Sequence, residues 1–176
     1  RTAPPTFGFV MEFAAKMADG AKIEEAVSVL GKDAVSPLYW RSASLGKWAS
    51  KKGFAYLVKH KDAIRAIMKH CLDSDPDFFF NGPDRYFGAF YARAPGWAGG
   101  DLDKSQEHFE KSMAAQPNYL GTRVLMAQDL EKKRQDRTRY EQLLNEVIEA
   151  DPNVLPGAEP ENAVEQRKAK LLLEQA

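Results

Sequence analysis

The stretch from Pro83 to Tyr119, PDRYFGAFYARAPGWAGGDLDKSQEHFEKSMAAQPNY, carries the clearest structural signal in the chain. The pattern is a helix, a glycine-bearing turn and a second helix that ends on a proline. Gly88, within Phe87-Gly88-Ala89-Phe90-Tyr91, has no side chain, so a neighbouring helix can approach the backbone there. Phe109 is placed to fill the gap between the paired helices. Pro117 has no backbone N–H to donate, so the helix stops before it.

The same spacing occurs three times: Ile64, Met68 and Pro76; Ser105, Phe109 and Pro117; Tyr140, Leu144 and Pro152. Each proline is followed by Asp or Asn and then an apolar residue, as Asp77-Phe78, Asn118-Tyr119 and Asn153-Val154. Three residues after the large apolar position stand Cys71, Ser112 and Val147, all modest in size. The prolines lie 41 and then 35 residues apart, an irregular period near the ~34 residues of tetratricopeptide repeats. Leu45-Gly46 repeats the large-residue–glycine pair of a first helix. Three matches in register predict an all-α protein, with tetratricopeptide-like helical hairpins stacked as an α-solenoid. One domain is expected over residues 1–176, with hairpins at about 6–31, 36–73, 83–116 and 120–150 and a C-terminal capping helix at about 160–174.

Composition sets the outer bounds. With 176 residues, one compact domain can bury a sizeable core. A net charge of +0 argues against a dedicated nucleic-acid binder, which would be strongly basic. Cys71 is the single cysteine, so no intramolecular disulfide can form. No apolar run approaches the ~18 residues of a membrane-spanning helix. The chain opens at Arg1 rather than methionine, as a mature or trimmed form would.

Taken in order, residues 1–5 read as a frayed start. Thr6 is the expected N-cap of a helix to about Ala18, closed by Asp19-Gly20, with Phe9, Phe13 and Met17 on one face. Ile23, Ala26, Val27 and Leu30 predict a second helix ended near Gly31. Ser36-Pro37 predicts a helix start, and that helix runs to about Ser50. Gly53 interrupts; Phe54, Tyr56, Leu57 and Val58 then form a short apolar segment of a helical turn or two, and a partner helix is expected at 60–73. Phe78, Phe79 and Phe80 cannot all face one side of a helix or strand, and Asn81-Gly82-Pro83 restarts a helix. Leu120 to about Lys133 forms another helix, and Asp136 caps its partner. Residues 151–158 read as a Pro/Gly loop. Pro160 opens the last helix, with Val164, Leu171 and Leu172 on one stripe.

Catalytic chemistry finds little support. Gly96 to Asp101 is glycine-rich, but no strand precedes it and no lysine holds the phosphate position, so it reads as a turn. His60, His70 and His108 have no clustered Cys or Asp, so they read as solvated rather than metal-binding. Cys71, in the repeat's small-residue position, reads as a buried small hydrophobe, not a nucleophile. Asp75, Asp77, Asp101 and Asp103 sit at helix ends and suit capping. No catalytic residue, metal or cofactor is expected.

Two groups of side chains remain as binding candidates. Within residues 47–70 seven cations are opposed only by Asp62. A solvated helix face is the plainer reading. The functional one is a docking face for an acidic partner, using Lys51, Lys52, Lys59, Lys61 and Arg65. Tyr39, Trp40, Trp48, Phe79, Phe80 and Trp97 are the candidates for an apolar groove, pore or subunit contact, against the alternative of helix–helix core.

Three stretches carry a family resemblance. Pro37-Leu38-Tyr39-Trp40 through Leu45-Gly46-Lys47-Trp48, Gly82-Pro83 through Gly99-Gly100-Asp101, and Glu161-Asn162-Ala163 through Arg167-Lys168-Ala169 resemble the TRAP-transporter-associated tetratricopeptide proteins, the T-component family. The likeness covers roughly residues 8–174, including the long central loop. It implies a non-enzymatic, bacterial periplasmic accessory, often lipid-anchored, although Cys71 lies mid-helix and is not an anchoring cysteine. Such a protein works beside the solute-binding protein of a tripartite ATP-independent periplasmic transporter. It also implies a homo-oligomer, a trimer, whose apolar central pore accepts hydrophobic small molecules. The alternative from the residues alone is a tetratricopeptide peptide-binding adaptor with a basic docking face, and an enzyme ranks last.

Overall fold

The computed structural model describes residues 5–175, and every regular element among them is helical. Residues 1–4 of the expected frayed start lie outside this range; Pro5 already belongs to a helix. Two compact units divide the chain between Phe78 and Phe79.

The first unit holds α1 (Pro5–Ala18), α2 (Ile23–Val27), a 3-10 turn (Lys32–Ala34), α3 (Val35–Lys52) and α4 (Phe54–Ser74). Thr6 lies inside α1 rather than ahead of it, because the helix opens at Pro5. The helix closes as its Asp19-Gly20 signal requires, with the Asp19 N–H donating to the Ala15 carbonyl at 2.9 Å and Gly20 at φ +79°. The second helix is shorter than its apolar pattern. It ends at Val27, and the Ser28 hydroxyl donates back to the Glu25 carbonyl at 2.8 Å, a local bond that competes with further turns. Ala26, Val27 and Leu30 are buried all the same.

The third helix starts at Val35, one residue before Ser36. The 3-10 turn runs straight into it, and no side chain caps it. Pro37 falls within the first turn, where a missing N–H leaves no bond broken. Gly53, at φ +117°, is the whole connection to α4. The helical turns expected at 54–58 and the partner helix expected from 60 are one element, and α4 runs unbroken from Phe54 to Ser74. With the reversal completed at Gly53, no Gly or Pro interrupts the following 21 residues. The two helices pack antiparallel. The Cys71 sulfur lies 3.9 Å from the Val35 carbonyl near one end, and Trp48 meets Tyr56 near the other. Their core is Val35, Leu38 and Ala49 against Ile64, Ile67 and Met68.

The second unit begins inside α5 (Phe78–Arg93) and continues through a 3-10 turn (Gly96–Ala98) to α6 (Leu102–Ala115). Next come α7 (Gly121–Met126), a π-helical segment (Ala127–Glu131) and α8 (Lys132–Arg134), which form one rod. The chain ends with α9 (Arg137–Glu149) and α10 (Glu159–Glu174). Pro76, Pro117 and Pro152 each follow a helix end, at Ser74, Ala115 and Glu149. Asp101 caps α6, accepting from the Asp103 and Lys104 N–H groups at 3.1 Å, and Asp136 caps α9, accepting from the Arg139 N–H at 2.9 Å. A Cβ built on Gly88 would stand 2.7 Å from the Phe109 ring, so only glycine lets α5 and α6 close this far. The Ser105 hydroxyl seals the approach by donating to the Gly88 carbonyl at 2.7 Å. Phe109, Leu130, Leu143, Leu144 and Val147 form the centre of the core.

The stripe expected on α10 splits, since Leu172 packs half-buried against the core while its two companions do not. On α10, Val164 is 48% exposed and Leu171 55%, and the inward face carries Asn162 and Ala169 beside Leu172 and Leu173. Amides set the rotation of this helix. Asn162 accepts from the Leu120 N–H at 3.0 Å and donates to the Asn118 and Pro152 carbonyls. Gln166 donates to the carbonyls of Val147, Ile148 and Ala150, the open end of α9. Those bonds would be lost if the helix turned its valine and leucine inward. Among the described residues no helix is long and apolar enough to cross a membrane.

Candidate functional site

In the first unit the candidate residues divide between core and surface. Tyr39 is buried, with its ring edge-on to Trp40 and to Phe78, each at 5.2 Å. Trp40 and Trp48 are 45% and 44% exposed. Trp48 meets the Tyr56 ring at 5.4 Å and the His60 ring at 5.9 Å, and Phe54, Tyr56 and Val58 are exposed on the opening turns of α4. Lys51 and Lys52 stand in the last turn of α3, where a cation complements the helix dipole. Lys59 and Arg65 are exposed on α4. Lys61 is half-buried and pairs with Asp62 at 2.8 Å, and Lys69 pairs with Asp73 at 2.5 Å. The antiparallel register therefore brings Trp48, Lys51, Lys52 and Lys59 to the Gly53 end of the helix pair. Arg65 sits further along α4.

In the second unit Phe79 and Phe80 belong to a left-handed turn. Phe79, Phe80 and Asn81 have φ of +47°, +54° and +57°, a conformation that costs roughly 1–2 kcal/mol per residue. The surroundings hold it by engaging all three carbonyls. The Arg85 guanidinium donates to the Phe80 carbonyl at 2.8 Å and the Phe79 carbonyl at 2.9 Å, and the Ser112 hydroxyl donates to the Asn81 carbonyl at 3.2 Å. Arg85 is buried, its guanidinium 4.1 Å from the centre of the Tyr119 ring. Tyr119 in turn stacks on Phe80 at 5.2 Å and meets Phe79 edge-on at 5.8 Å. Three consecutive aromatics are thus accommodated by reversing the hand of the backbone. Trp97, on the turn between α5 and α6, is 73% exposed.

Sequence reasoning missed Arg85 and Tyr119, and it read His108 as solvated. The His108 Nδ1 lies 2.7 Å from the Asp84 carboxylate, and the ring stacks on Phe87 and Tyr91 at 5.3 and 5.5 Å. Asp84 and His108 are 24 residues apart, so no local spacing reveals the pair. A partial signal for the turn did exist, because Asn81, the last of its three left-handed residues, tolerates positive φ better than most. Cys71 is fully buried, and burial pushes its thiol up to about 11, the wrong direction for a nucleophile. Among the described residues no three His, Cys, Asp or Glu side chains converge to hold a metal ion.

These surfaces belong to an all-α protein whose distinctive exposed side chains are aromatic and cationic. The family model of the TRAP transporter T-component matches residues 10–176, nearly the whole chain. The chain belongs to that family and is therefore a component of a TRAP transporter system. No curated protein matches it.

Proposed function

We propose that the protein is a non-enzymatic periplasmic accessory of its TRAP transporter, lipid-anchored before processing, that docks the solute-binding protein and accepts hydrophobic ligands as a homotrimer. Family membership over residues 10–176 is the observation that carries this reading. Packing supports a tetratricopeptide-like solenoid. The pairs α3–α4, α5–α6 and α7/α8–α9 each run antiparallel, and α10 closes the series by satisfying the last carbonyls of α9. On this proposal residues 1–176 act as one domain. Large apolar side chains facing water mark contact surfaces, and Trp40, Trp48 and Trp97 are such side chains.

The test is co-purification with the cognate solute-binding protein, followed by size-exclusion chromatography with light scattering. A trimer that forms a complex, weakened about tenfold or more by Trp48→Ala, supports the proposal. A monomer that forms no complex at high micromolar concentration sinks it. Exposure of Lys51, Lys52, Lys59 and Arg65 favours a second reading, an adaptor for acidic peptides. Binding by that face weakens steeply with added salt, whereas binding of an apolar ligand does not.

A further inference from the structure

A cleft of about 410 Å³ opens among α8, the first turns of α9 and the last turns of α10. The inner wall is Glu131, Tyr140 and Leu172, and the exposed mouth carries Lys132 and Arg137 together with the Asp136 carboxylate. Glu131 is only 2% exposed. It ends the π-helical segment, and such an insertion shifts side chains out of α-helical register and recurs at functional sites.

Among the described residues, no hydrogen bond or ion pair reaches the Glu131 carboxylate. The nearby cations are engaged elsewhere. Arg134 donates to Gln106, Asp103 and the Leu102 carbonyl, and Arg139 pairs with Glu146. The Asp136 carboxylate caps the Arg139 N–H. Burial accordingly holds the Glu131 carboxyl above the usual carboxylate range. Arg134 and Arg139 offset part of that rise from a distance, but neither touches the carboxylate, so a ligand ammonium in direct contact with it would relieve the remaining cost.

The charge pattern narrows the ligand. An ammonium fits the acidic interior, and the Tyr140 ring and Leu172 offer apolar wall to a short alkyl body. A second ammonium would meet Lys132 at the mouth, whereas a carboxylate there is attracted; Arg137 beside it is already paired with Glu141 at 2.6 Å. We propose that this cleft binds a small amino-acid-like zwitterion, its ammonium against Glu131 and its carboxylate toward Lys132. This inference does not rest on docking of the solute-binding protein, and its test needs no partner.

Isothermal titration calorimetry of the full chain with 6-aminohexanoate, hexylamine and hexanoate decides the matter. The zwitterion binds tightest, hexylamine more weakly, and hexanoate about tenfold or more below the zwitterion. Glu131→Gln keeps the side chain's shape and removes the buried charge. It lowers 6-aminohexanoate affinity about tenfold or more while leaving the melting temperature unreduced. Should that variant fold poorly, Lys132→Glu serves instead and shifts preference from the zwitterion toward hexylamine. The proposal is overturned if no probe binds at about 10 mM, if hexanoate matches 6-aminohexanoate, or if neither substitution changes the ranking.

Discussion

Cys71 illustrates what a single position can determine. Its neighbours one turn back, Ile67 and Met68, are buried, and so is the thiol, pushed from 9.0 to about 11. Because the folded value lies above the unfolded one, the contribution to stability is complete below pH 9. It is lost as pH rises from about 9 toward 11, where the unfolded chain ionises first. Tyr140, also raised by burial, adds to the same alkaline loss. Thiol labelling at pH 8 should be slow in the native protein and rapid in denaturant. Cys71→Ala should flatten part of the stability decline between pH 9 and 11. Fast native labelling would show that the α3–α4 interface opens readily.

At the scale of elements, the left-handed turn at Phe79–Asn81 and the forked cation that grips it act as one device. Arg85→Ala removes two charge-assisted bonds to carbonyls and should cost about 3 kcal/mol in urea unfolding. Arg85→Lys should recover less than half, since an ammonium cannot serve both carbonyls and stack on Tyr119 as a planar fork does. Unchanged stability in the alanine variant would mean that local backbone preferences hold the turn unaided. The three aromatics announce a problem in the sequence, yet the solution depends on Ser112 and Tyr119, which lie more than 30 residues further along.

At the scale of the molecule, α10 fastens segments that are far apart in sequence. Asn162 joins Asn118, Leu120 and Pro152, so it ties the turns that follow α6 and α9 to the last helix. Asn162→Ala leaves the Leu120 N–H without its acceptor and should lower stability by about 2–4 kcal/mol. Thermal unfolding by circular dichroism gives the check; a loss below about 0.5 kcal/mol would mean that apolar packing alone seats α10. The family match over residues 10–176 places this whole arrangement within the TRAP transporter T-component family.

The helical class and the places where helices stop are written in the order of residues alone. Those signals are local: Pro76, Pro117 and Pro152 lack an N–H wherever they fold, Gly88 lacks a Cβ, and Asp101 and Asp136 carry the acceptor that a helix start requires. The family was legible too, from motifs spread along the chain. Only the tertiary structure decided the rotation of α10, the hand of the turn at Phe79, the Asp84–His108 pair and the burial of Glu131. Each depends on which distant groups meet once helices pack, and periodicity carries no record of whether a buried polar atom finds a partner.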